Sequence, residues 1–204
     1  MKLKSLYLRL MKEVIEKFRS KCGLDTESME ALIENMTDVC FKKGDVVIEC
    51  GDMDDSIYII KTGIWRSCID RDGSELTLWF SGDNSFVVDV WCYQRREPSR
   101  IRIISETESQ AYRIKKAEIE RLCAVSLVIS NTIRRIFEYH AATYEESNMS
   151  LLECQTGEER YLALLRDSPE LFLRIPLNKL ASYLRLTPQS LSRIRASIRQ
   201  GPSD

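Results

Sequence analysis

Five glycines, at positions 44, 51, 63, 73 and 82, constrain the fold of this chain more than any other feature, because they fall at intervals of 7, 12, 10 and 9 residues. Each belongs to a turn-forming group: Lys43-Gly44-Asp45, Gly51-Asp52, Thr62-Gly63, Asp72-Gly73 and Gly82-Asp83. Around them lie short runs rich in β-branched and aromatic residues: Val46 to Ile48, Ile57 to Ile60, Ile64 to Ile69, Leu76 to Phe80, Ile101 to Ile104 and Ala111 to Ile114. Short strands with turn signals roughly every 8–12 residues describe an antiparallel sandwich or barrel. Asp72-Gly73 is the strongest hairpin signal, since a two-residue type I′ turn needs positive φ at both central positions.

Helical periodicity flanks this β region on both sides. Leu3, Leu6, Leu10, Val14 and Phe18 are spaced by three and four, the stripe of an amphipathic helix. Glu13 and Glu16 share its polar face with the lysines, so it is read as packed on its own domain and not as a membrane-surface helix. Asp25 to Asn35 forms a second helix with Asp25 or Thr26 as its cap. From Lys116 to Cys154 no glycine or proline interrupts the chain. That exceeds the ~10–14 residues of an average helix, which predicts a short helix followed by a long one. Ile129, Ile133, Ile136 and His140 line one stripe of the long helix, and a twin chain would cover it in a coiled-coil-like homodimer. Thr156-Gly157-Glu158-Glu159 is a capping box that starts a new helix.

The predicted fold is therefore α+β: an antiparallel, jelly-roll-like β-roll flanked by helices, a long dimerisation helix and a C-terminal helix-turn-helix. The expected segments are 1–115 for the roll, 116–155 for the connecting helices and 156–204 for the C-terminal domain. Charge changes at the same boundary. The whole chain holds 30 Lys+Arg and 31 Asp+Glu, which says nothing about a nucleic-acid partner. Residues 44–155, however, hold 13 cations and 19 acids, whereas Leu171 to Ser203 hold six cations and no acid.

Within that basic segment, Leu180, Ala181 and Leu184 form the buried stripe of a short helix. Thr187 then caps a second helix with Pro188 at its first position, where the missing N–H costs nothing. Leu191, Ile194 and Ile198 would be buried, with small Ala181 at the helix crossing. At 100° per residue the opposite face presents Gln189, Arg193, Ala196 and Gln200, flanked by Ser190 and Ser192. Gln can pair bidentately with adenine and Arg with guanine, so this face suits the major groove of double-stranded DNA. Asn178, Lys179, Arg185, Thr187 and Ser192 are placed for phosphates, which position the protein without reading sequence.

Other functions find little support. No apolar stretch approaches the ~20 residues of a membrane span, and charges at Arg9, Lys12 and Glu13 break any signal-peptide core, so a cytoplasmic protein is expected. Seven cysteines with no pair closer than ten residues form neither a disulfide framework nor a C-x-x-C site. The single histidine, His140, excludes the usual two-histidine metal sites, and no G-x-S-x-G elbow is present, so neither an enzyme nor a cofactor is expected.

Taken in order, Lys43-Gly-Asp45, Gly51-Asp52, Ser56-Ile-Tyr-Ile-Ile-Lys-Thr-Gly63, Asp72-Gly-Ser-Glu75, Gly82-Asp83, Glu97-Pro-Ser99 and the segment from Ile175-Pro176 to Arg195 resemble the CRP/FNR family of bacterial transcription regulators over roughly residues 25 to 200. The resemblance implies a homodimer on a two-fold-related DNA site, contact with RNA polymerase and an effector sensed by the β-roll. Cyclic-nucleotide members hold the ribose with Gly-Glu and the cyclic phosphate with Arg-Ser/Thr. Here Phe86-Val87 stand at the first pair and Pro98 precedes Ser99, which argues against cyclic AMP. Arg95, Arg96, Ser99 and Arg100 remain as a weaker site for a different small-molecule anion. No N-terminal cysteine cluster and no β-region histidine suit an iron–sulfur centre or haem. Arg185 occupies the turn position where such motifs carry glycine, at a cost of about 1 kcal/mol if φ is positive there. Only four residues follow Gln200, so a full wing is not expected. The competing reading is a small-molecule-sensing β-roll that acts through a protein partner without binding DNA.

Overall fold

The computed structural model of the chain describes residues 2–200, and all of their side chains except those of residues 2–10, 22, 151, 199 and 200. Two helices, α1 (Lys2–Cys22) and α2 (Thr26–Ile33), open the chain. Eight strands follow: β1 (Thr37–Phe41), β2 (Val46–Ile48), β3 (Ser56–Thr62), β4 (Trp65–Arg71), β5 (Ser74–Ser81), β6 (Phe86–Val88), β7 (Arg102–Ser105) and β8 (Ser109–Lys115). A π-helical turn, Trp91–Arg95, lies between β6 and β7. The remaining helices are α3 (Lys116–Val125), α4 (Leu127–Glu153), α5 (Gly157–Asp167), α6 (Leu171–Arg174), α7 (Leu177–Tyr183) and α8 (Pro188–Gln200).

The strands form two four-stranded sheets, ordered β1-β8-β3-β6 and β2-β7-β4-β5. In the first sheet β3 pairs antiparallel with β8, Ile57 opposite Ile114 and Ile59 opposite Tyr112, and with β6, Ile59 opposite Phe86. Asp72 (φ 55) and Gly73 (φ 76) both adopt positive φ, as the hairpin signal required. Asp25 caps α2 by accepting from the Ser28 amide at 2.8 Å. The expected division of the long helical stretch occurs at Ser126, whose backbone is extended between α3 and α4.

Two compact units divide the chain. The first runs to Ser67 and includes Phe80–Ala142; the second joins Cys68–Trp79 to the chain from Thr143 onward. This division falls within α4, and the tip of the β4–β5 hairpin belongs with the C-terminal helices.

In the first unit, Ser56 to Lys61 of β3 are all buried because both faces of the strand are covered. Ile57 and Ile59 point with Phe86, Val88, Tyr112 and Ile114 into a core shared with Val14 and Phe18 of α1 and Met29 of α2. Tyr58 and Ile60 alternate to the other face, where the Tyr58 and Trp65 rings meet edge to face at 5.3 Å and Phe41 meets Trp65 at the same distance. Ile129, Ile133 and Ile136 of α4 also belong to this core, at 5%, 7% and 0% exposure. This corrects the expectation that they meet a twin chain: the helical stripe is real, but it packs into the core that α1, α2 and the strands of the same chain share. His140, expected at the same interface, stacks edge-on against Phe86 at 5.2 Å, and its burial lowers its pKa.

The second unit is built on Tyr161, Leu164, Leu171, Ile175, Leu180, Ala181, Leu184 and Leu191, all buried. Thr156 accepts from the Glu159 amide at 3.2 Å, and the Glu159 carboxylate accepts from the Thr156 amide at 3.1 Å, completing the capping box. Tyr161 and Phe172 pack edge to face at 5.1 Å.

Candidate functional site

The helix-turn-helix is α7, a sharp turn and α8. Ala181 is fully buried, and Leu191 inserts beside Leu180 and Leu184 with no exposure. The turn is a Schellman motif: the Leu186 amide donates to the Ala181 carbonyl at 2.9 Å and the Arg185 amide to the Ser182 carbonyl at 3.2 Å. That geometry places the residue after the helix in the left-handed region, and Arg185 is there at φ 58.

Thr187 accepts from the Ser190 amide at 3.1 Å and donates to the Ser190 hydroxyl at 2.9 Å, fixing the start of α8. Gln189, Ser192, Arg193 and Ala196 are exposed, while Ile194 and Ile198 are half-buried on the opposite side. Asn178 is exposed and Lys179 half-buried in the first turn of α7. The Gln200 side chain lies outside the described residues. Arg185 is exposed and also makes a contact within its own unit. Its Nη1 donates to the Thr77 carbonyl of β5 at 2.8 Å, and burial together with the nearby Arg71 and Arg160 cations lowers its pKa, opposed only by Tyr183.

In the roll, the weaker effector candidates have structural partners. Arg95 and Arg100 place their guanidinium carbons 4.4 and 4.1 Å from the centre of the Trp91 ring, and Arg100 also pairs with Glu97 at 3.1 Å. Arg96, at φ 56, ends the π-helical turn and is exposed. Ser99 is buried; its hydroxyl donates to the Ile101 carbonyl at 2.7 Å, and its amide donates to the Asp52 carbonyl at 2.8 Å. Ser99 thus ties the Gly51-Asp52 turn to its neighbouring segment.

Sequence reading missed Asp89, which is fully buried after β6. One of its oxygens accepts from the Trp91 amide at 2.9 Å and the Cys92 amide at 3.5 Å, and the other accepts from the Cys92 thiol at 3.6 Å. An acid at the end of an apolar run, just before a helical turn, is an N-cap signal that would have found it. Burial, with Asp89 beside it, pushes the Cys92 thiol up to about 11. The amides that open this turn already serve a carboxylate, and the Ser99 hydroxyl is committed to Ile101.

The structure combines an antiparallel roll flanked by helices, a long helix and a C-terminal helix-turn-helix. This is the fold seen in solved structures of CRP/FNR transcription regulators. Residues 38–126 match the family model of the cyclic nucleotide-binding domain. No curated protein matches the sequence significantly. Among solved structures, FixK2 from Bradyrhizobium japonicum is similar at 18% identity and a TM-score of 0.67, over 81% of this chain and 85% of that one. CLP of Xanthomonas campestris, a regulator described as responsive to c-di-GMP, is similar at 17% identity and a TM-score of 0.67, covering 86% and 92%. A CRP/FNR-family regulator from Eubacterium rectale, described as putative, is similar at 19% identity and a TM-score of 0.64, covering 88% and 86%. No described helix is long and apolar enough to cross a membrane.

Proposed function

We propose that this protein is a DNA-binding transcription regulator that reads a two-fold-related site as a homodimer through α8. The observation that carries the reading is the exposed Gln189/Arg193 face on a rigidly capped helix, in a segment of 33 residues with six cations and no acid. Such a face supplies both the bidentate groups that distinguish bases and the charge that holds phosphates. The fold shared with known regulators supports it.

With Ile129, Ile133 and Ile136 taken by the roll, the dimer face belongs on the opposite side of α4. At 100° per residue that side carries Leu127, Met149 and Leu152, which are 76%, 48% and 77% exposed. RNA polymerase is the partner implied for the DNA-bound dimer. The roll is read as a sensor whose effector is not cyclic AMP, because Asp89 and Ser99 are already engaged where a cyclic phosphate would need donors.

The test is selection of genomic fragments by the purified protein, followed by titration at several salt concentrations. Affinity should fall linearly on a log–log plot, with a slope of about −0.9 per neutralised phosphate. Arg193→Ala should cost about 1–3 kcal/mol and relax specificity at one base pair per half-site. A protein that retains no fragment at any salt concentration, with or without cell extract metabolites, acts through a protein partner instead.

A further inference from the structure

β5 is the last strand of its sheet, so its outer edge offers backbone groups that no strand pairs. Glu75 and Thr77 are two residues apart, so their backbone groups point to the same side of β5. Within the C-terminal unit, side chains of the helix-turn-helix take three of these groups. The Ser182 hydroxyl donates to the Glu75 carbonyl at 2.9 Å and accepts from the Thr77 amide at 2.9 Å. Arg185 Nη1 donates to the Thr77 carbonyl at 2.8 Å. A single hydroxyl therefore supplies the donor and the acceptor that a neighbouring strand would have provided. Ser182 lies in the last turn of α7 and Arg185 begins the turn to α8, so the strand edge grips the corner of the motif.

Charge gives that grip a direction. The hairpin tip from residue 70 to 75 carries Asp70, Asp72 and Glu75 against Arg71 alone. On the hairpin that carries the gripped edge, these carboxylates would oppose a phosphate backbone that approached it. The grip also occupies Arg185, which the basic segment otherwise offers to phosphate. Opposing it is the proximity of the Arg71 and Arg160 cations.

Resting on the DNA-binding reading of α8, we infer that the Glu75–Thr77 edge is an autoinhibitory latch: closed, it holds the helix-turn-helix corner against an acidic hairpin, and DNA binding requires its release. The experiment compares full-length wild type with Ser182→Ala, which loses two latch bonds and touches none of the proposed DNA contacts. Binding to a selected genomic fragment is measured together with hydrogen exchange at the Thr77 amide. The latch requires S182A to bind about tenfold more tightly and its Thr77 amide to exchange faster. Asp72→Asn, whose side chain tolerates the positive φ of the turn, is the second variant; it should tighten binding a few-fold at low salt and not at high salt. Faster Thr77 exchange in S182A with unchanged or weaker DNA binding overturns the latch as an inhibitor. Equal Thr77 protection in both proteins overturns the contact itself. Failure of wild type and both variants to bind any fragment overturns the DNA-binding reading, and the inference with it.

Discussion

Arg66 and Glu106 form an ion pair inside the first unit, with Nε to Oε1 at 2.6 Å and both side chains only 2% exposed. The Glu106 amide also donates to the Ile64 carbonyl at 2.8 Å, so the pair sits where the β3–β4 turn meets the β7–β8 turn. Removing one partner of a buried pair costs about 3–5 kcal/mol, because the remaining charge keeps its desolvation penalty. Glu106→Gln preserves shape and retains a carbonyl acceptor worth about 1 kcal/mol, so the expected loss is about 2–4 kcal/mol. For a chain of this size that corresponds to a fall in Tm of roughly 5–15 °C. Urea titration followed by tryptophan fluorescence measures it, provided the slope stays constant. The double variant Arg66→Met/Glu106→Leu removes both charges and should lie within about 1 kcal/mol of wild type, or above it. A Glu106→Gln protein within about 0.5 kcal/mol of wild type, or a double variant less stable than the single one, would refute this account of the pair.

Three further outcomes follow from named contacts. Gly63 has φ 119, and a Cβ there would lie 2.3 Å from the Ser109 Cβ and 2.9 Å from its Cα; Gly63→Ala should therefore cost about 2–5 kcal/mol in denaturant. Thr156→Ala removes the acceptor for the Glu159 amide and should cost about 1 kcal/mol, with Thr156→Ser close to wild type, by thermal melting. Burial lowers the His140 pKa, so the unfolded chain binds its proton more readily than the folded one. Stability should fall as pH drops below about 6.5, and His140→Phe should flatten that part of the pH–stability curve.

Much of the fold was legible because glycine intervals, alternation and helical period are local properties. The Asp72-Gly73 turn and the capping box at Thr156 both follow from residues within a few positions of one another. β6 was read instead as the place of a Gly-Glu pair, and its three residues are too few to show alternation. β1 escaped because Thr37 and Asp38 dilute its apolar signal. The stripe on α4 failed differently: period 3.6 reports that a face is apolar but not what covers it, and here it joins a core that α1, α2 and the strands build from residues far earlier in the chain.

The C-terminal site shows the same limit at finer grain. Buried and exposed faces of α8 follow from 100° per residue, since Leu191 must enter the core and Gln189 and Arg193 must then point away. The strain at Arg185 was also readable, because a turn that closes α7 with a Schellman pair needs a left-handed residue whichever amino acid stands there. What compensates the strain was not readable: the carbonyl that receives the Arg185 guanidinium belongs to Thr77, 108 residues away in sequence. A glycine at 185 would relieve the backbone and forfeit that bond, and the two effects are of similar size, each about 1 kcal/mol. Arg185→Gly should therefore leave the stability of the C-terminal unit nearly unchanged. A loss above about 2 kcal/mol would mean that the side chain does more for the fold than its backbone costs.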